Sequence, residues 1–163
     1  EVNGGPADHR MRPRSEAASR VANTRNGATG GGRAGVQPIG AEKFGALGDS
    51  VDIMIRDGAA VRNVAPLYQE APRLFDGCKA WENGQVYLEM AYNAYYTNHE
   101  IALANAWYAA KVVYPDLFAD VDMTAKTNEI TRMFLGQELA KQIFACPSSF
   151  GGYQQIDTAA FFS

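Results

Sequence analysis

Two cysteines, Cys78 and Cys146, and two histidines, His9 and His99, are all that the chain carries of these residue types. So few thiols rule out a disulfide framework, and their separation fits no zinc or redox motif. They are either independent small apolar residues or partners in a single bridge. No pair of histidines has ligand spacing, so no metal site is expected, and His99, beside a helix start, reads as a surface residue. No run approaches the roughly 20 apolar residues that a membrane span needs, and residues 1–40 contain no apolar stretch of the secretory type. Neither the G-x-S-x-G elbow of hydrolases nor the phosphate-binding G-x-x-x-x-G-K-[ST] loop occurs. No enzymatic activity and no catalytic residue is therefore expected.

What is present is the composition of an ordinary globule, 47% apolar and 20% charged over 163 residues, long enough for one domain with a sizeable core. A net charge of -3 gives no reason to expect a nucleic-acid partner. The charge is uneven. The first forty residues hold six Arg against three acids, eight Gly, no Lys and no aromatic residue. Such a segment buries too little apolar surface to offset its ordering entropy, so residues 1–36 are expected to be disordered or irregular, with the folded unit over 37–163. Gly30, Gly32 and Gly35 satisfy G-x-G-x-x-G, but dinucleotide binding needs a buried strand before that run and a helix after it. Residues 22–29 are no strand, and Pro38 and Gly40 follow closely, so the match is Gly-richness. A nucleic-acid role for the basic arm would show a steep salt dependence and vanish on deletion of 1–36.

Beyond Gly40 helical and strand patterns alternate. Residues 41–47 predict a short helix and 51–56 a buried strand ending at Asp57-Gly58. Short helices are expected over 61–68 and 71–75, around Pro66 and Pro72. Asn83-Gly84 marks a turn into a second strand over 85–90. The clearest helix is 98–114, with Thr97 or Asn98 as cap, Glu100 in its first turn and Pro115 as its stop. Ile101, Ala104, Trp107, Tyr108 and Val112 share one face, expected to pack on the sheet. Another helix over 124–135 has Asp122 as cap and Gly136 as terminator; 146–152 reads as a loop and 159–162 as an apolar tail. Strands separated by helices indicate α/β layering around a mainly parallel sheet.

In such sheets ligands bind beyond the carboxyl ends of the strands, where loops lead into helices. Two segments qualify, 56–59 and 91–98, and both should face one edge. The second contains Tyr92, Asn93, Tyr95, Tyr96 and Asn98: flat apolar rings with hydroxyl and amide groups, suited to a large, partly polar ligand, beside a helix N-terminus that favours an anionic group. The plainer alternative is that these tyrosines wedge the loop against its neighbours. Asp116, Asp120 and Asp122 flank a helix start, where acids are favoured without any cation.

Several blocks resemble a known family. Ala41-Glu42-Lys43-Phe44 followed by Val51-Asp52-Ile53-Met54-Ile55 is similar to a short helix with Glu and a P-D-I-I-type strand. Ala80-Trp81-Glu82-Asn83-Gly84-Gln85-Val86-Tyr87 is similar to an A-v-k-N-G-k-V-Y block. The stretch 92–115 resembles Y-N-Y-Y-x-T-N-x-E-x-A-L-A-x-A-Y-Y-x-G-K-x-L-Y-P, continued by Phe118 to Asp122 and by Phe134-Leu135-Gly136. These are features of the C-terminal lobe of ABC-importer substrate-binding proteins of the iron-siderophore, haem and cobalamin type, over about three quarters of the chain and in the family's order. The resemblance implies a single three-layer Rossmann-like lobe, apparently without the N-terminal lobe and connecting helix. It implies capture of an Fe(III)-siderophore, haem or cobalamin with no intrinsic cofactor, and delivery to an ABC-transporter permease from the periplasm or an extracytoplasmic membrane surface. Ligand contacts would fall on Tyr92, Asn93, Tyr95, Tyr96 and Asn98, and on Asp57 and Gly58. Glu42 would dock the permease. The alternatives are a fragment of a dinucleotide-binding α/β enzyme and an inactive truncated receptor.

Overall fold

The computed structural model describes residues 48–161 apart from 71, 94 and 95. The Gly/Arg-rich segment with its run over 30–35, the expected helix over 41–47 with Glu42, and Tyr95 lie outside the described residues.

Strand β1 (Met54–Asp57) runs directly into helix α1 (Gly58–Glu70). A 3-10 turn at Pro72–Phe75 and the short helix α2 (Lys79–Glu82) then lead to strand β2 (Val86–Glu89). β1 and β2 pair in parallel, Met54 opposite Val86 and Asp57 opposite Glu89. Alternation along β2 divides its side chains between two faces. Val86 and Leu88 are fully buried in the main core with Met54 and the stacked pair Phe75 and Trp81, whose ring centroids are 4.0 Å apart. Tyr87 meets Tyr108 edge-on across the other face.

Strand β3 (Gln154–Gln155) pairs antiparallel with the free side of β2, giving the order β1-β2-β3. The fold is mixed α/β as expected, but its small sheet is mixed rather than mainly parallel. Two glutamines carry no apolar alternation from which a strand is readable. Tertiary contacts hold them there: Ile156 is buried in the main core and its N–H donates to Val86 O at 2.7 Å, while the Gln155 amide donates to Gly84 O at 2.8 Å.

Helix α3 (His99–Val113) and helix α4 (Met123–Leu135) lie within one residue of the expected bounds at each end. Asp122 caps α4 by accepting the Ala125 N–H at 2.7 Å, and Gly136, at φ 72, ends it in the left-handed conformation. Helix α5 (Ala140–Ala145) and helix α6 (Thr158–Phe161) complete the fold. The expected helices over 61–68 and 71–75 become one continuous α1 and a 3-10 turn. Pro66 is exposed within α1, which it continues without donating a backbone hydrogen bond.

Trp107 departs from the expected sheet-facing role. It packs edge-on against Phe118 in a second cluster with Ala110, Val121 and Met123, and Lys126 Nζ lies 4.3 Å from its ring centre. Lys111 pins the connection below by donating to Phe118 O and Val121 O at 3.1 and 2.7 Å. The first half of α4 thus meets the second half of α3. Cys78 is buried and Cys146 exposed, both as free thiols, so no bridge joins them.

Candidate functional site

The in-register parallel pair ends β1 and β2 at one edge of the sheet, and both segments singled out from the sequence leave from it. At the first, Asp57 turns its carboxylate back on the chain, Oδ1 accepting the Ala59 N–H at 2.7 Å, which orders the start of α1. Gly58 is buried where three backbones converge. A Cβ there would lie 2.6 Å from Ser148 O and 3.4 Å from Glu89 O, so it is the approach of the chain at Ser148 that only glycine allows.

The second segment is closed at its base. Asn98 N–H donates to Tyr92 O at 2.8 Å, and Asn93 and Thr97 form an antiparallel bridge. Tyr92 is half-buried, Asn93 exposed, and Tyr96 is 87% exposed, the most solvated of the large hydrophobic side chains described. Asn98 occupies the cap position of α3 without using its side chain as a cap, so its amide is open to other partners. The wedge alternative therefore fits Tyr92 in part but not Tyr96. Asp57 and Gly58 lie at the end of β1, and Tyr92, Asn93, Tyr96 and Asn98 lie in the segment that follows β2 from the same edge; Tyr95 and Glu42 lie outside the described residues.

Behind the loop is a buried polar layer that sequence reasoning missed. Asn105, on α3, holds the Met90 backbone through both amide atoms, and Tyr153 donates to its Oδ1 at 2.8 Å. The ring of Tyr153 packs 4.7 Å from that of Tyr108 and meets Phe144 edge-on. Burial pushes the Tyr108 phenol above its ordinary value, helped by Tyr87 and Glu89; burial, then Glu89 and Tyr108, does the same to Tyr153. Both hydroxyls stay protonated at neutral pH. A polar residue inside the apolar stripe of α3 was the one available signal for Asn105. Tyr153, 48 residues further on, gave none.

An open groove of about 450 Å³ lies at the opposite edge, lined by Trp81, Glu82, Gly84, Gln155, Ile156, Asp157 and Thr158. It touches none of the expected ligand residues. Asp157 is engaged there in capping α6, accepting from Ala159 and Ala160. Among the described residues no group of three His, Cys, Asp or Glu is arranged to hold a metal ion, and no helix is long and apolar enough to cross a membrane. A scan against protein-family models and a search of curated proteins each gave no match to this chain.

Proposed function

We propose that the chain is the C-terminal, Rossmann-like lobe of an ABC-importer substrate-binding protein, which captures an Fe(III)-siderophore, haem or cobalamin and presents it to a permease on the extracytoplasmic side. The observation that carries this reading is the convergence, at one sheet edge, of Asp57-Gly58 with a base-closed loop that holds Tyr96 out in solvent. The family-like blocks over 92–122 support it. Exposed aromatic rings and amides on a fixed base are contact groups for a large ligand. They bind through area and hydrogen bonds rather than through proton transfer or nucleophilic attack. Glu42, in the Ala41-Glu42-Lys43-Phe44 block, is the permease contact in this reading; its attraction to a basic surface would be screened by salt.

The test is titration of the full chain with haemin, cyanocobalamin and ferrichrome, followed by quenching of the Trp and Tyr fluorescence. At least one should quench saturably, and Tyr96→Ala should weaken that binding by about tenfold, the usual scale for removing an aromatic contact. Absence of saturable quenching by all three contradicts the proposal, as does binding that is indifferent to both Tyr92→Ala and Tyr96→Ala.

A further inference from the structure

Asn105 lies in the middle of a buried helix face, next to the fully buried Ala104, and is itself only 5% exposed. Its amide forms a two-pronged link to one backbone residue. Nδ2–H donates to Met90 O at 2.7 Å, and Met90 N–H donates to Oδ1 at 3.2 Å. A neighbouring strand would offer β2 the same donor and acceptor. Met90 shares with Val86 the side of β2 that faces β3, because Ile156 N–H donates to Val86 O and backbone groups alternate along a strand; the amide thus continues that ladder past Leu88, the last residue of β2 paired with β3. Met90 also fixes the orientation of the amide, because a flipped side chain would set donor against donor and acceptor against acceptor. The same Oδ1 accepts the Tyr153 hydroxyl, and Tyr153 is held by its contacts with Tyr108 and Phe144.

Met90 is 1% exposed, and the segment 92–98 begins two residues after it. Closure of that segment by the Asn98 to Tyr92 bond ties its far end to the start of α3, the helix that carries Asn105. Both ends of the loop are therefore referred to a single helix, one through the backbone and the other through one side chain.

We infer that Asn105 is the positioning residue of the 92–98 loop and that Tyr153 holds its amide against the strand, coupling the loop to the chain beside β3. A loop fixed in advance loses less conformational freedom when a ligand settles on it, so the clamp raises affinity without touching the ligand. That consequence rests on the ligand-facing reading of the loop; the clamp itself does not.

Amide hydrogen exchange of the full chain, without ligand, tests the clamp directly. In Asn105→Ala the Met90 and Asn98 amides should exchange about tenfold faster, the scale of one lost buried hydrogen bond, while amides of α4 keep their rates. Tyr153→Phe retains the ring packing and should give a smaller acceleration confined to the same amides; it carries the test if Asn105→Ala does not fold. Asn128→Ala removes a comparable side-chain bond, the one to the Ala140 N–H, and should leave the loop unchanged. Wild-type rates at Met90 and Asn98 in the clamp variants overturn the inference. So does acceleration that merely follows that of α4, because it reports global loss of stability. For whichever of haemin, cyanocobalamin or ferrichrome binds, Tyr153→Phe should weaken affinity about threefold with no change at saturation in the quenched signal. If none binds, the ligand reading falls while the exchange data still decide the clamp.

Discussion

Two glycines show how differently one residue type can be required. At Gly58 the constraint is space: a Cβ would meet the backbone at Ser148 O, which cannot swing aside as a side chain would. Gly58→Ala should therefore cost about 1–3 kcal/mol through overpacking, read as a lower urea midpoint at constant slope. At Gly136 the surroundings are open, and only the φ of 72 resists a side chain, so Gly136→Ala should cost about 1 kcal/mol. The sequence marked Gly136 by its place after a periodic helix. It marked Gly58 as the end of a strand and a candidate ligand contact, but not as a crowded position, because the crowding there comes from Ser148, far along the chain. The buried phenols make a second prediction at this scale. Tyr108 and Tyr153 keep their protons in the fold at a pH where the unfolded chain releases them. Their contribution to stability is complete below the ordinary tyrosine value of about 10 and is lost as pH rises above it. Urea midpoints should fall across that range, and the fall should be shallower in Tyr108→Phe. A midpoint that stays level through it contradicts the burial argument.

Among elements, α3 and α4 were legible because their signals are local: a cap, an apolar period and a Pro or Gly stop within each stretch. Asp122→Ala removes the side-chain acceptor of the Ala125 N–H and should cost about 1 kcal/mol, whereas Asp122→Asn retains an acceptor and should cost less; thermal unfolding distinguishes them. α5 and β3 were not legible for the opposite reason. α5 has six residues and no side-chain cap, and its start is fixed from α4, where Asn128 Oδ1 accepts the Ala140 N–H and Thr131 Oγ1 the Leu139 N–H. β3 is a polar dipeptide recruited by the unused edge of β2. The antiparallel course of β3 follows from where the chain enters it: after α3, α4 and α5 it passes Gly58 at Ser148, at the edge where β1 ends, so residues 154–155 run back toward the start of β2. Trp107 was read as part of the sheet face because period alone cannot say which neighbour a helix face meets; Phe118 and Lys126 claimed it.

At the scale of the whole molecule, the parallel pair places Asp57, Gly58 and the 92–98 loop at one edge of the sheet, while the open groove occupies the other. The family resemblance is what proposes the loop as a ligand face, and the sequence alone could name its side chains. It could not reveal the polar layer that supports them, which depends on Tyr153 reaching Asn105 across the fold. The same arrangement yields a choice between two surfaces. Chemical-shift mapping of the labelled full chain with cyanocobalamin, gallium ferrichrome and gallium protoporphyrin, diamagnetic members of the three ligand classes, tests that choice most directly. The account predicts saturable shifts at Asp57, Gly58, Tyr92, Asn93, Tyr96 and Asn98 with at least one of them, and none at Glu82, Gln155 or Thr158. Shifts centred on the groove, or no saturable shifts with any of the three, would contradict it.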